Sequence, residues 1–349
     1  MRTTEQSVGQ NERTAHQKRR SVVLGLVLAT PLFLIACPKN SGPESPRGGM
    51  SARPQPGPSI PIPGAIAFNG ERAMEHVRKQ VEFGPRIPGS PELAKTREYI
   101  SNELKKLGLS VTSDEFRAST PQGEKNMANL TAEIPGESKD VIIIASHYDT
   151  KYYKNMTFVG ANDPGASVGT VLELARVLSA TRQQQKPKFT YWFVFFDGEE
   201  ATCEDWKECG KPGAPDNTYG SRHYVAQLDT RNERDRARAL ILLDMMGHKD
   251  LQLSRDEGST KWLVDTIWQT ARELGYGAQF VNQTQSVGGD DYDPFLQKGI
   301  ESVDLIQFFP QWHRADDTLD NVSAKSMKIV GDVVLASLPR IEQHLSNKR

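Results

Sequence analysis

The sequence predicts an α/β fold: a single domain with a mixed, largely parallel central sheet flanked by helices on both faces. Three observations lead there. Short continuous apolar runs at 140–146, 189–196, 239–243 and 302–307 lack the alternation of a half-exposed strand and read as strands covered on both sides. Helical periodicity fills the intervals at about 165–180, 219–228 and 259–274. Each run is followed by carboxylate or imidazole residues, as expected where strand ends open onto a ligand crevice.

Composition narrows the function classes. The 349 residues are 37% hydrophobic and 25% charged, with a net charge of -1. An apolar share of that size excludes a disordered chain, and near-neutral charge with a pI of 6.7 argues against a protein that binds nucleic acid by neutralising phosphates. Seven His and three Cys are too few for a disulfide scaffold or a zinc-finger array, and enough for one metal site.

Residues 1–36 are expected to be a targeting segment. Lys18, Arg19 and Arg20 precede an apolar run from Val22 to Ala36, the length of a secretory signal core and shorter than a membrane-spanning helix. The run ends Leu34-Ile35-Ala36-Cys37, which resembles a bacterial lipoprotein signal and implies a lipidated Cys37, export, and membrane contact through that lipid in the cell envelope. Residues 37–69 are rich in Pro, Gly and Ser and read as a tether, because such a composition buries too little surface to offset its ordering entropy. Residues 70–349 remain as one catalytic domain without internal repeats.

Within the domain a helix is expected over Glu71–Phe83. A second starts at Ser90-Pro91-Glu92, which supplies an N-cap, a proline at the first helical position and an acidic first turn, with Ile100, Leu104 and Leu107 continuing the apolar stripe. A final helix is expected over 324–345.

The chemistry lies past the strand ends. His147 follows the first run, Asp197-Gly198-Glu199-Glu200 the second, Asp244 the third and His313 the fourth, while a loop-to-helix junction carries Asp163. Two His, two Asp and one Glu suit zinc: two ions sharing a bridging carboxylate, or one ion with three protein ligands. Spacing alone does not choose between them.

These residues sit in segments that resemble the zinc-dependent aminopeptidase family and, within it, the glutaminyl cyclases. The segments are 147–153 (HYDTKYY), 158–178, 195–201 (FFDGEEA), 219–223, 242–247 (LLDMMG), 290–299 (DDYDPFLQKG) and 312–318 (WHRADDT). The resemblance implies that Asp163, Glu200 and His313 bind zinc. In the peptidase branch His147 and Asp244 hold a second zinc with Asp163 as bridge. In the cyclase branch a single zinc is bound, and Asp244 joins a hydrogen-bond network with Glu199 and Asp290. Glu199 carries the proton in either branch. The family also has a cis peptide after the bridging Asp, here followed by Pro164, and X-Pro bonds tolerate cis far better than others.

Aromatic positions favour the cyclases, which turn N-terminal glutamine of peptides and proteins into pyroglutamate with loss of ammonia. By resemblance Trp206, Trp312 and Phe309 wall an apolar pocket for that glutamine, and Asp197 and Lys151 lean the same way. The alternative is a di-zinc aminopeptidase. A binding domain that has lost its metal is disfavoured, since all five ligand positions are filled. Departures are Gly289, where animal cyclases have Gln, and Tyr292, which replaces a His. In an oxidising compartment Cys203 and Cys209 are expected to form a local disulfide.

The remaining conspicuous residues read as structure. His223 is expected on a helix face, 231–238 as a solvated face, and Trp262 and Trp268 as packing at helical spacing. His248 follows the 242–247 segment with no role assigned.

Overall fold

The computed structural model describes residues 67–205, 209–211 and 215–348. The expected signal segment, Cys37, the tether up to residue 66, and Trp206 lie outside the described residues. The elements run α1 (Gly70–Phe83), α2 (Pro91–Lys106), β1 (Val111–Thr120), β2 (Gly123–Ile134), β3 (Val141–His147), α3 (Ser167–Thr181), β4 (Thr190–Phe196), α4 (Tyr219–Thr230), β5 (Ala237–Asp244), β6 (Leu253–Asp256), α5 (Lys261–Glu273), β7 (Phe280–Gln285), α6 (Asp293–Gln297), β8 (Glu301–Ile306) and α7 (Ala324–Asn347).

The four apolar runs form β4, β3, β5 and β8, adjacent and mutually parallel in a six-stranded sheet of order β1-β2-β4-β3-β5-β8. Strands β2 and β1 extend one edge as an antiparallel hairpin and make the sheet mixed. Their ranges carry few large apolar residues and β1 is largely exposed, so no continuous run announces them. The short parallel pair β6–β7 forms a separate sheet, equally silent in the sequence because most of β7 faces solvent.

Both faces are covered, as a parallel sheet requires. Ile142, Ile144, Phe193, Phe195, Ile241 and Leu243 pack with α1, α3 and α7 on one side. The alternate residues Ile143, Ala145, Val194, Phe196, Leu240 and Leu242 pack with Tyr224 and Leu228 of α4 and Phe295 of α6 on the other. Successive side chains of a strand point to opposite faces, which is why each run is apolar throughout.

The helix signals work as read. The Ser90 side chain accepts from Leu93 N, with Pro91 in the first turn. The Asn69 side chain accepts from Glu71 N and Arg72 N, and buried Phe68 packs against Gly331 of α7. The folded unit therefore begins ahead of the expected boundary at 70.

Strand register sets the site. Ala145 of β3 pairs with Leu242 of β5, which levels His147 with Asp244 at the carboxyl edge of the sheet. His147 also pairs with Phe196, so the loop carrying Glu199 and Glu200 departs beside it.

His76 on α1 tests the packing of α1 on α2. Its Nδ1 lies 2.7 Å from the Tyr99 hydroxyl, and burial pushes the imidazole below 6.5 against the pull of Glu103, Glu173 and Glu75. As pH falls through 6.5 the unfolded chain takes up a proton at this position that the folded protein resists, so stability is lost on acidification. Thermal melts of the wild type and of His76→Gln are expected to diverge in pH dependence, the wild type losing more on acidification below 6.5. Parallel curves contradict the assignment.

Candidate active site

The five candidate ligands converge. His147 closes β3 and Asp244 closes β5. Asp163 lies in a tight turn, 161–166, that leads into α3, and its bond to Pro164 is cis as expected. His147 Nε2 lies 3.3 Å from Asp163 Oδ1 and 3.2 Å from Asp244 Oδ1. His313 Nε2 lies 3.5 Å from Asp163 Oδ2 and 3.1 Å from Glu200 Oε1. Asp163 thus offers one oxygen to each imidazole and belongs to two three-donor groups, His147–Asp163–Asp244 and Asp163–Glu200–His313.

A second layer of side chains fixes these donors. Asp149 accepts from Glu199 N at 3.0 Å and Glu200 N at 3.2 Å, and its Oδ1 lies 3.6 Å from His147 Nδ1. Gly198 allows the turn before them: its φ is 70°, and a Cβ there would sit 2.7 Å from the Met127 sulfur. Asp317 accepts from Asn162 N at 2.9 Å and Asp163 N at 3.1 Å. Fully buried Arg86 donates to Val159 O and Gly160 O at 2.7 and 2.8 Å, clamping the entry to the same turn. Burial pushes Arg86 down to about 10 despite nearby Asp317, Asp163 and Asp149. Asn162 joins the turn to the end of β5, accepting from Gly247 N and donating to Met245 O.

None of Asp149, Asp317 or Arg86 was assigned a role from the sequence. Asp149 carried a signal: two residues beyond His147, it falls on the same side of an extended chain. Asp317 and Arg86 carried none, since they act through backbone groups distant in sequence.

Backbone strain gathers here. Met245, next to Asp244, and His313 have φ of 48° and 56°, a region non-glycine residues rarely occupy. Such outliers cluster at working sites, where surrounding structure holds them.

The site is rich in negative charge. Burial raises Glu199, Asp290 and Asp304 well above the ordinary carboxyl range, with Asp290 also acting on Glu199, Asp244 on Asp290, and Asp290 on Asp304. Buried Asp304 Oδ1 and Oδ2 and Asp290 Oδ2 have no hydrogen-bond partner among the described residues, in keeping with the pressure against charge on both groups. Burial opposes charge on Asp163 and His313 as well. Hydrogen bonds from His147 and His313 nevertheless hold Asp163 well below its usual range, and Glu200 and Asp163 push His313 up to about 10.

The donors fit a divalent cation. Three carboxylates and two imidazoles bring donor atoms within 4.8 Å of one another in each three-donor group, and buried Glu200 Oε2 has no hydrogen-bond partner. Oxygen and nitrogen donors of this kind suit zinc.

Asp163, Glu200, Asp244 and His313 floor a cleft of about 210 Å³, with His147 buried outside the lining, and the remaining lining includes Met245, Val287, Ile306, Phe308 and Trp312. The Trp312 ring stacks on His313 at 4.4 Å, while Phe158 and Tyr153 meet the imidazole edgewise. Glu199, Asp244 and Asp290 all line the cleft. Phe309, expected in the wall, is instead buried against Met245 and Ile306, and Phe308 takes the wall position. Neighbouring residues on an extended segment face opposite ways, so placing one Phe in the cleft turns the other into the protein.

Of the two departures, Gly289 lines the cleft, whereas Tyr292 is buried outside the lining. Lys151 Nζ donates to Ala201 O and Cys203 O, holding the chain beyond Glu200. Cys203 and Cys209 are joined by a disulfide, as expected. His223 stacks on Phe116 beside Asp114, Trp268 is core, and His248 packs on Phe309 with Nε2 at 3.2 Å from Gln311 Oε1.

Asp317→Ala is expected to lower zinc affinity by about 10- to 100-fold, as measured by competition with a chromogenic chelator, because Asp163 loses its backbone anchor. Unchanged affinity contradicts a positioning role for Asp317.

Comparison with known proteins agrees with this geometry. The sequence profile of peptidase family M28 matches residues 129–338. The glutaminyl-peptide cyclotransferase of Drosophila melanogaster is 28% identical over 267 residues, covering 69% of this chain and 73% of that one. The crystal structure of an Acidobacteriales bacterium glutaminyl cyclase superposes with a TM-score of 0.74 at 34% identity, covering 83% of this chain and 99% of that one. A Zn-dependent exopeptidase from Parabacteroides distasonis superposes with a TM-score of 0.70 at 26% identity, covering 78% of this chain and 98% of that one. With the match to the family spanning more than half of its length and a glutaminyl cyclase structure 34% identical over 83% of the chain, the chain belongs to peptidase family M28 and, within it, to the glutaminyl cyclase branch.

Proposed function

We propose that the protein cyclises the N-terminal glutamine of peptides and proteins to pyroglutamate, releasing ammonia, with zinc held by Asp163, Glu200 and His313. The observation that carries this reading is the Trp312 ring stacked on His313 at 4.4 Å, an apolar wall set directly against a proposed zinc ligand in the cleft that Glu199 also lines. The small cleft has room for one residue rather than a length of peptide, which suits a substrate entering by its terminus. The similarity to glutaminyl cyclases points the same way.

Zinc, when bound, supplies Lewis-acid polarisation of the side-chain carbonyl of the substrate glutamine. The chain's own groups do the rest. Trp312 and the apolar rim hold the glutamine folded with its α-amine against its amide carbon and exclude water, so ring closure is an oriented intramolecular step. The nitrogen–carbon bond of the lactam forms and the bond to the departing amide nitrogen breaks. Glu199 accepts the proton released by the attacking amine and returns it to that nitrogen, which leaves as ammonia. Burial, with the nearby carboxyls of Asp290, Glu200 and Asp291, raises Glu199 well above the ordinary carboxyl range and makes it basic enough to accept.

A second reading has its own observation. His147, Asp163 and Asp244 form a further three-donor group sharing Asp163, the arrangement that a di-zinc aminopeptidase uses. Incubation with a glutamine-initiated peptide separates the two: ammonia with the chain otherwise intact supports cyclisation, and free amino acid supports hydrolysis. One tightly held zinc per chain accompanies the first outcome and two the second.

Export and anchoring through Cys37 belong to the same proposal. They are supported by Lys18–Arg20, the apolar run and the small residue before the Cys.

Glu199→Gln is expected to lower kcat by about 10²- to 10⁴-fold with zinc content unchanged, the loss typical of a displaced proton carrier. Turnover near the wild-type rate overturns its assignment.

A further inference from the structure

We infer that the groove between α3 and α7, at the amino-terminal edge of β4, is a second binding site that takes a single-chain anionic amphiphile of the fatty-acid class. Its tail lies between the helices and its carboxylate on the connection from α3 to β4. The inference is independent of the cyclase reading.

One face of α7 makes the groove. Leu335, Leu338, Pro339 and Glu342 are spaced i, i+3, i+4 and i+7 and so share a side of the helix. Val177 and Leu178, near the end of α3, line it with them, and Ile134 and Tyr191, paired across β2 and β4, close it from the sheet. The cavity measures about 580 Å³, against about 210 Å³ for the cleft at the ligand groups, and falls in the roughly 300–1,000 Å³ range of sites that enclose small molecules.

The apolar surface is recessed. Leu178 and Leu335 are half-buried within the groove, while the exposed large hydrophobic residues among those described, Phe308 and Trp312, lie at the other site. A recessed apolar slot suits one chain entering it better than a flat protein face. The polar groups in it already satisfy each other: the Tyr191 hydroxyl donates to Glu342 Oε1 at 2.8 Å, and burial raises the Glu342 carboxyl above its ordinary range. The slot therefore demands no polar atom along the tail.

Charge stands on one side. Arg182, Lys186 and Lys188 come from the end of α3 and the connection to β4, against exposed Glu137 and the matched Glu342. Cations along one rim of an apolar slot complement a ligand that is apolar along its length and anionic at one end. Helix α3 starts at the turn that carries Asp163 and ends at this groove, so the amphiphile and the substrate occupy opposite edges of the sheet.

Calorimetric titration of the zinc-loaded protein with sodium octanoate and sodium decanoate, below their micelle concentrations, tests this. One site per chain is expected, with decanoate about tenfold tighter, since each buried methylene is worth up to about fourfold. Lys186→Glu combined with Lys188→Glu should weaken decanoate about tenfold and leave neutral 1-decanol within about twofold, whereas Leu335→Gln should weaken both about tenfold. Absence of saturable binding to the wild type overturns the inference. So does decanoate that binds both variants as well as the wild type or competes with a glutamine-initiated peptide in turnover, because it then sits elsewhere. Binding to phosphatidylglycerol vesicles without binding to monomeric decanoate overturns it in favour of a membrane surface. Self-association abolished by the charge reversal, in place of decanoate binding, overturns it in favour of a second copy of the chain.

Discussion

The site depends on a single carboxylate held between two imidazoles. Asp163 presents Oδ1 to His147 and Oδ2 to His313, and through them it joins the donors at the ends of β3 and β5 to those of the loops after β4 and β8. Much of the surrounding structure serves that placement. Asp317 takes its backbone N–H, Arg86 grips the carbonyls before it, and Asn162 anchors its turn to the loop after β5. A carboxylate with both oxygens committed cannot rotate to relieve a misplaced neighbour, so the support must be rigid, and all three supports are buried.

Charge explains the rest of the arrangement. Buried carboxyls crowd within one cleft, an arrangement tolerable only where some stay protonated and others face positive charge. Burial holds Asp290 and Asp304 well above the ordinary carboxyl range, which answers the first need, and the cation of the proposed function, held among Asp163, Glu200 and His313, would answer the second. The same crowding raises Glu199, which lies beside the ligand group without belonging to either three-donor set. It therefore remains free to move a proton. In the proposed mechanism cation binding and proton transfer would draw on this one electrostatic environment at the strand edge.

The parallel half of the fold was legible because burial on both faces leaves an unmistakable apolar run, as in 141–147 and 190–196. The β1–β2 hairpin was not, because an edge strand need satisfy only one side and tolerates Asp114 and Arg117 as readily as Phe116. At the site, residues placed by strand ends, such as His147 and Asp244, could be read from position alone. Residues acting across the fold could not: Arg86 reaches backbone carbonyls more than seventy positions away, and no local pattern records that contact. The exchange of Phe309 for Phe308 is a failure of a different kind. Family resemblance gives the segment, but the side facing the cleft is set by local chain direction. Trp206 falls outside the described residues, so the aromatic wall described here consists of Trp312 and Phe308.

Anomalous diffraction at the zinc edge from crystals grown with the metal tests the centre of this account most directly. It predicts an ion bonded to carboxylate oxygens of Asp163 and Glu200 and to His313 Nε2, at about 2 Å from each. Anomalous density elsewhere, with Asp163 still hydrogen-bonded to both imidazoles, would contradict it.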